Sequence, residues 1–173
     1  MKELLYNYDF LSEKDITEFV SRAKAIIIND DFLYYGNQNG VLQFIGGHKE
    51  ENETLKECLV REIKEESGIC ISINDIKNPI MKISYRNKDY PKKNTNRQAD
   101  TYYFIVKTEK KPDNNLISLT ENEKAEKYKV DCCKLQDAIK ILKDSEKVNE
   151  KNKVIARDMI LVLDEYFSRY HEE

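Results

Sequence analysis

Residues 47–69 read GHKEENETLKECLVREIKEESGI, and within them Glu62, Glu65 and Glu66 stand at the spacing that stacks side chains on one face of a helix. Thr54 followed three residues later by Glu57 is a capping box, and Gly68 suits a left-handed cap, so the spacing predicts a helix from Leu55 to Ser67. At about 100° per residue, Leu55, Cys58, Leu59 and Ile63 mark the inward face, yet Glu62 and Glu66 fall near the angle of Leu55 and Leu59. The buried stripe turns acidic halfway along. Carboxylates grouped so tightly repel one another and are costly to desolvate, so either water reaches them or a cation neutralises them. Ligands that are all oxygen suit a hard ion such as magnesium or manganese. The plain alternative is a solvated acidic face on a surface helix.

The flanking residues extend the pattern. Gly47, Glu53, Arg61, Glu62, Ile63, Glu65, Glu66, Gly68 and Ile69 reproduce GX5EX7REUXEEXGU, where U is a bulky aliphatic. In this the chain resembles the Nudix hydrolases. The resemblance implies an α/β fold, a Nudix-type α/β/α sandwich with a mixed sheet. It also implies metal-assisted attack of water on phosphorus in a nucleoside diphosphate linked to another moiety, with Mg2+ or Mn2+ as cofactor. Phosphoryl transfer needs charge neutralisation and positioning more than a strong nucleophile, which agrees with a carboxylate-held cation. By the same resemblance Glu65 and Glu66 are the principal metal ligands, Glu62 is a third ligand or a base, and the Gly47 carbonyl adds an oxygen. Arg61 and Glu53 are the ion pair bracing loop to helix. The acidic box itself is confined to residues 47–69.

A length of 173 residues suits one domain spanning 1–173, and 40% hydrophobic with 35% charged residues is an ordinary globular balance. No apolar run approaches the length of a membrane span, and MKELLYNYDF lacks the apolar core of a secretory signal, so the expectation is a cytoplasmic protein with no membrane partner. Cys58, Cys70, Cys132 and Cys133 show no zinc-type spacing and are read as reduced.

Ser12 and Asp15 cap an expected short N-terminal helix to about Arg22. Ala23–Asn29 and Phe32–Tyr35 read as a hairpin, residues 36–40 as a turn, and Val41–Ile45 as a strand leading to Gly46-Gly47. After the helix, Ile69, Ile71 and Ile73 alternate as a short strand would, and Ile80–Tyr85 pairs with Thr101–Lys107. The connection between that pair is basic and aromatic. Tyr85, Arg86, Lys92, Lys93 and Arg97 are the substrate-binding candidates there, against a solvated loop as the alternative. Family members that cleave dinucleoside polyphosphates carry a tyrosine a short way beyond the box, and Tyr85 stands there. Glu121 and Glu123 lie before an expected last strand, Lys127–Asp131, where some relatives keep a base or an extra ligand. Leu135, Ala138, Ile139 and Leu142 mark one amphipathic helix. Ile155, Met159, Val162 and Tyr166 mark a longer C-terminal one, read as core, with pairing into a homodimer as the alternative.

The expected partner is a small-molecule nucleotide derivative. Two alternatives stand beside hydrolysis of such a compound: a catalytically inactive nucleotide- or RNA-binding module, which has no need of all three glutamates, and an RNA 5'-end processing enzyme. A net charge of -3 disfavours RNA.

Overall fold

The computed structural model describes residues 1–147 and 150–170. Its centre is β2, Glu18–Asn29, whose sequence EFVSRAKAIIIN alternates so that Ala23, Ala25 and Ile27 face one way and Arg22, Lys24, Ile26 and Ile28 the other. From Glu18 to Ile28 β2 pairs in parallel with β7, Arg97–Lys107. On its other edge it pairs antiparallel first with β5, Ile45–His48, and then with β3, Phe32–Gln38. Outside β7 lie β6, Met81–Asn87, antiparallel, and then β1, Lys2–Tyr6, parallel to β6. β3 carries β4, Val41–Gln43, and β8, Lys129–Lys134, both antiparallel. Among the described residues these strands form one mixed sheet of eight.

Helix α1, Leu55–Ser67, covers the Ala23/Ala25/Ile27 face with Cys58, Leu59 and Ile63. The opposite face is covered by α3, Ala138–Ser145, and α4, Glu150–Arg169, whose Met159, Val162, Leu163 and Tyr166 are buried against Ile26, Ile28, Met81 and Ile83. The result is the expected α/β/α sandwich. The stripe on α4 is spent inside this core. Among the described residues no helix is long and apolar enough to cross a membrane.

Four expectations are corrected. The short N-terminal helix to Arg22 is absent: the Ser12–Asp15 capping box forms, but it closes only a 3-10 turn at Glu13–Asp15. Ile16 is extended there, and the amides of Thr17 and Glu18 bond to Asn96 instead, starting β2. Pairing with a distant strand outcompetes the local helix signal. Ile69, Ile71 and Ile73 make no strand; Ile69 and Ile76 are buried and a 3-10 turn at Ile73–Asp75 connects them. The turn expected at residues 36–40 begins later, at Asn39-Gly40 with positive φ, and Gly36 lies within β3. The single strand at Val41–Ile45 is two, broken at Phe44, which points into the α4 side of the core while Ile45 points to the α1 side. β1 adds a strand to those expected, its Leu4 and Tyr6 packing inward by alternation. β8 begins at Lys129 and α2, Glu121–Ala125, precedes it.

Candidate active site

α1 occupies the predicted residues because its ends are fixed locally. Thr54 accepts from the Glu57 amide at 3.2 Å, Glu57 accepts from the Thr54 amide at 2.7 Å, and Gly68 takes φ 70° as cap. A side chain at Gly68 would collide with the Asp113 carbonyl. The last turn is completed by a distant loop: the Asp113 amide donates to Ser67 O at 3.0 Å and the Ser118 amide to Glu65 O at 2.8 Å, satisfying carbonyls that a helix end leaves open.

Arg61 organises the acidic face. Its Nε and Nη2 donate to Glu53 at 3.1 and 2.7 Å, Nη2 also to His48 O at 3.0 Å, while Nη1 bridges Glu62 Oε1 at 2.8 Å and Glu65 Oε2 at 3.1 Å. The Arg61 fork holds the Glu53 carboxyl down to about 2. Glu66 is buried, at 6% exposure, and burial pushes its carboxyl up to about 7. Its Oε2 accepts from the Gly46 amide at 2.8 Å and from the Tyr128 hydroxyl at 3.1 Å. Burial likewise raises Glu62, against the pull of Arg61.

Each box glutamate thus commits one oxygen to the protein and leaves the other, Glu62 Oε2, Glu65 Oε1 and Glu66 Oε1, without a hydrogen bond among the described residues. The three acidic side chains do not converge on a point as an assembled metal site, and no other group of three His, Cys, Asp or Glu does so among the described residues. The donor set nevertheless fits a hard divalent cation in kind: three uncommitted carboxylate oxygens line one cavity, and burial opposes the charge of two of them until a cation offsets it. The Gly47 carbonyl is engaged weakly by the Cys58 thiol, at 3.7 Å.

That cavity, about 750 Å³, is lined on one side by Glu62, Glu65 and Glu66 and on the other by Arg22, Lys24 and His48. Lys24 donates to Phe44 O and Gly46 O, both at 2.9 Å, and burial lowers its ammonium pKa. Burial, with Arg22 and Lys24 beside it, also lowers His48. Gly46, at φ 132°, lies so close to the Ala23 carbonyl that only hydrogen fits.

Glu123 lines the cavity too, with Oε2 held by the Thr120 amide and hydroxyl at 2.6 and 2.8 Å. Glu121 is exposed and bound to Lys124 at 2.8 Å, away from the cavity. The substrate-binding candidates sit elsewhere. The Tyr85 hydroxyl bonds Asp158 at 2.7 Å and Arg157 at 2.7 Å, Arg86 bonds Gln98 and Leu11 O, Arg97 pairs with Glu18 at 2.5 Å, and Lys92 and Lys93 are exposed. None of the five lines the cavity. Arg22, Lys24 and Tyr128 are cavity or support residues that the sequence reading missed. Period-two alternation carried upstream from Ala23 would have placed the first two on one strand face; nothing local marks Tyr128.

An acidic helix facing a glycine-bearing strand across this sheet is the arrangement of a NUDIX domain, and a family model of that domain matches residues 19–157, so the chain belongs to the Nudix hydrolase family. Among particular relatives, 83 residues are 39% identical to the mRNA-decapping protein OPG121 of vaccinia virus, in the Western Reserve and Copenhagen strains. The match covers 48% of this chain and only 37% of the viral protein's length. In fold the chain is similar to the E. coli ORF135 protein, with a TM-score of 0.58 and 16% identity over 90% of this chain and 94% of that one. It is also similar to a MutT mutator protein from Bacillus halodurans, with a TM-score of 0.51 and 18% identity over 70% and 72% of the two chains.

Proposed function

We propose that this chain is a Mg2+- or Mn2+-dependent pyrophosphohydrolase of nucleoside diphosphate derivatives, working in the cytoplasm as a single domain over residues 1–173. The observation that carries this is the set of three half-committed glutamates on one wall of a cavity whose other wall is cationic. Glu62, Glu65 and Glu66 would hold the metal through their uncommitted oxygens, and when bound it supplies charge neutralisation at the phosphorus that water attacks. Arg61 aims Glu62 and Glu65 and ties the helix to the loop through Glu53. Gly46 and Tyr128 fix Glu66. Glu62 and Glu123, both on the cavity, are the candidates to take the proton of the attacking water.

A second reading, RNA 5'-end processing, is favoured by the partial similarity to a viral mRNA-decapping protein and would use the same chemistry on a larger substrate. Incubating the protein with Mg2+ or Mn2+ and a panel of nucleoside triphosphates, dinucleoside polyphosphates, nucleotide sugars and capped RNA tests both. The expected outcome is a nucleoside mono- or diphosphate released by cleavage of a phosphoanhydride, abolished by chelation and by Glu66→Gln. Release of orthophosphate from monoesters alone, or metal-independent turnover, overturns the reading.

A further inference from the structure

β1 ends in an open stack of rings. Tyr85 on β6 and Tyr6, its partner in register on β1, stack at 5.0 Å and 21°, and Tyr8 continues the stack from Tyr6 at 6.2 Å and 25°. The inner rings are pinned: the Tyr85 hydroxyl donates to Asp158 and accepts from Arg157, whose guanidinium lies 4.7 Å from the centre of the Tyr6 ring. Tyr8, the outermost, is 70% exposed and makes no hydrogen bond among the described residues. Phe10 follows at 91% exposure with φ 54°, a left-handed backbone that a bulky residue adopts only at a cost. The turn is braced: Asn7 Nδ2 donates to Leu11 O at 2.8 Å, the Leu11 amide to Asn7 Oδ1 at 2.9 Å, and Arg86 to Leu11 O at 3.0 Å. Two large aromatic side chains are thus held out in solvent, where neither contributes to the core.

Cations flank these rings. The Asp9 carboxylate accepts from the Lys88 amide at 2.8 Å and so fastens the turn to the β6–β7 hairpin. There Lys88, Lys92 and Lys93 are exposed, with ammonium groups in no hydrogen bond or ion pair among the described residues. The neighbouring acids are engaged: Asp89 with the Asn94 amide at 2.6 Å, and Glu18 with Arg97, which also lies 5.2 Å from the centre of the exposed Tyr90 ring. Unpaired ammonium groups among exposed ring faces suit a chain of phosphates carrying planar bases, whereas a lipid surface favours rings gathered into one apolar patch. The cavity is near. Arg22, Thr101, Ile83 and Leu4 form one row across β2, β7, β6 and β1, and Tyr85 and Tyr6 stand two residues along on the same side. Three strand spacings, about 14 Å, separate the cavity wall at Arg22 from β1. We propose that Tyr8, Phe10, Lys88, Lys92 and Lys93 form a surface for single-stranded nucleic acid outside the cavity, with a base lying on Tyr8 as the next layer of the stack and phosphates at the lysines. Its role, to carry the strand behind a processed 5' end, rests on the RNA reading above; the binding itself needs no cleavage.

The test is fluorescence anisotropy of the full-length chain with Mg2+ and labelled oligouridylate or oligodeoxythymidylate, whose 5' ends carry no anhydride. Wild type should bind oligouridylate, and more tightly than an RNA duplex of the same length, in which the base faces are closed. Tyr8→Ala should weaken that binding by about five- to a hundredfold, the range of one lost stack. Tyr8→Phe, which keeps the ring, should stay within about twofold of wild type, and it guards against misfolding of the alanine variant, as does an unchanged melting transition. Lys88→Ala, Lys92→Ala and Lys93→Ala together should flatten the slope of log Kd against log salt by about 2, at roughly 0.7 per phosphate contact. Equal affinity in wild type and Tyr8→Ala overturns the proposal. Duplex binding as tight as that of the single strand also overturns it, and so does flotation with phosphatidylserine vesicles in place of oligonucleotide binding. The outcomes separate from those of the RNA reading: clear preference for oligodeoxythymidylate keeps the surface and sinks that reading. Cleavage of capped RNA by a protein that binds neither oligonucleotide does the reverse.

Discussion

Tyr128 donates its hydroxyl hydrogen to Glu66 Oε2 at 3.1 Å, joining the start of β8 to the acidic end of α1 inside the core. The ring packs against Gly36, where an added Cβ would come within 2.5 Å of the Tyr128 hydroxyl. Tyr128→Phe should therefore weaken Mn2+ binding by about three- to tenfold, the worth of one hydrogen bond near 1 kcal/mol, with native circular dichroism. Gly36→Ala should shift the ring and act in the same direction more strongly. Unchanged Mn2+ affinity in both would show that Glu66 needs no such support.

The pH dependence of stability follows from the same carboxylate. Burial lifts Glu66 in the folded chain from 4.5 to about 7, so the folded state holds a proton that the unfolded state has released. Stability should fall as pH rises through that window, with a slope of at most about 1.4 kcal/mol per pH unit. Glu53, held down from 4.5 to about 2 by Arg61, gives the opposite slope: its contribution is lost as pH falls below 4.5. Urea midpoints measured in EDTA should show Glu66→Gln gaining on wild type between about pH 5 and pH 8. A constant difference across that range would mean that Glu66 titrates normally.

Arg61 already neutralises part of the acidic face without metal. Arg61→Gln should lower the metal-free melting temperature, because Glu53, Glu62 and Glu65 lose their shared partner. A cation binding only the native cluster stabilises by RT ln(1 + [L]/Kd), roughly 2.7 kcal/mol at a hundredfold excess. Mg2+ or Mn2+ should raise the wild-type transition beyond an equal ionic strength of sodium chloride, and by less in Glu65→Gln and Glu66→Gln. If sodium chloride does as well, screening explains the effect.

The two loop glutamates should differ. Glu121→Gln should leave kcat within about twofold of wild type, since an exposed pair such as Glu121–Lys124 carries little energy. Glu123→Gln should cost more, because this carboxylate lines the cavity and caps α2 at once. Thr120→Ala separates the two roles, removing a capping hydroxyl while keeping the carboxylate. Equal losses in Glu123→Gln and Thr120→Ala would assign Glu123 to structure, leaving Glu62 as the base.

What was legible in the sequence was what adjacent residues decide. The limits of α1 and its acidic stripe follow from spacings within one helix, while the reach of Arg61 to Glu53 was implied by the family resemblance. The opposite wall did not, because Arg22 and Lys24 owe their places to a distant strand, where Thr101 and Tyr103 are their partners, and Ser12, Asp15, Ile16, Phe19 and Val20 imitate a helix start. Phe19, expected inside that helix, is 68% exposed on the strand. The basic hairpin shows another limit: composition marks charge but not commitment, and Arg97 and Arg86 are bonded to Glu18 and Gln98.

The two amides that Asp113 and Ser118 lend to the last turn of α1 bear on how the cavity can open. A segment that supplies acceptor-satisfying donors to a helix end cannot swing free of it without fraying that end. Hydrogen exchange should therefore find the amides of Asp113 and Ser118 opening together with the last turn of α1, at a common rate.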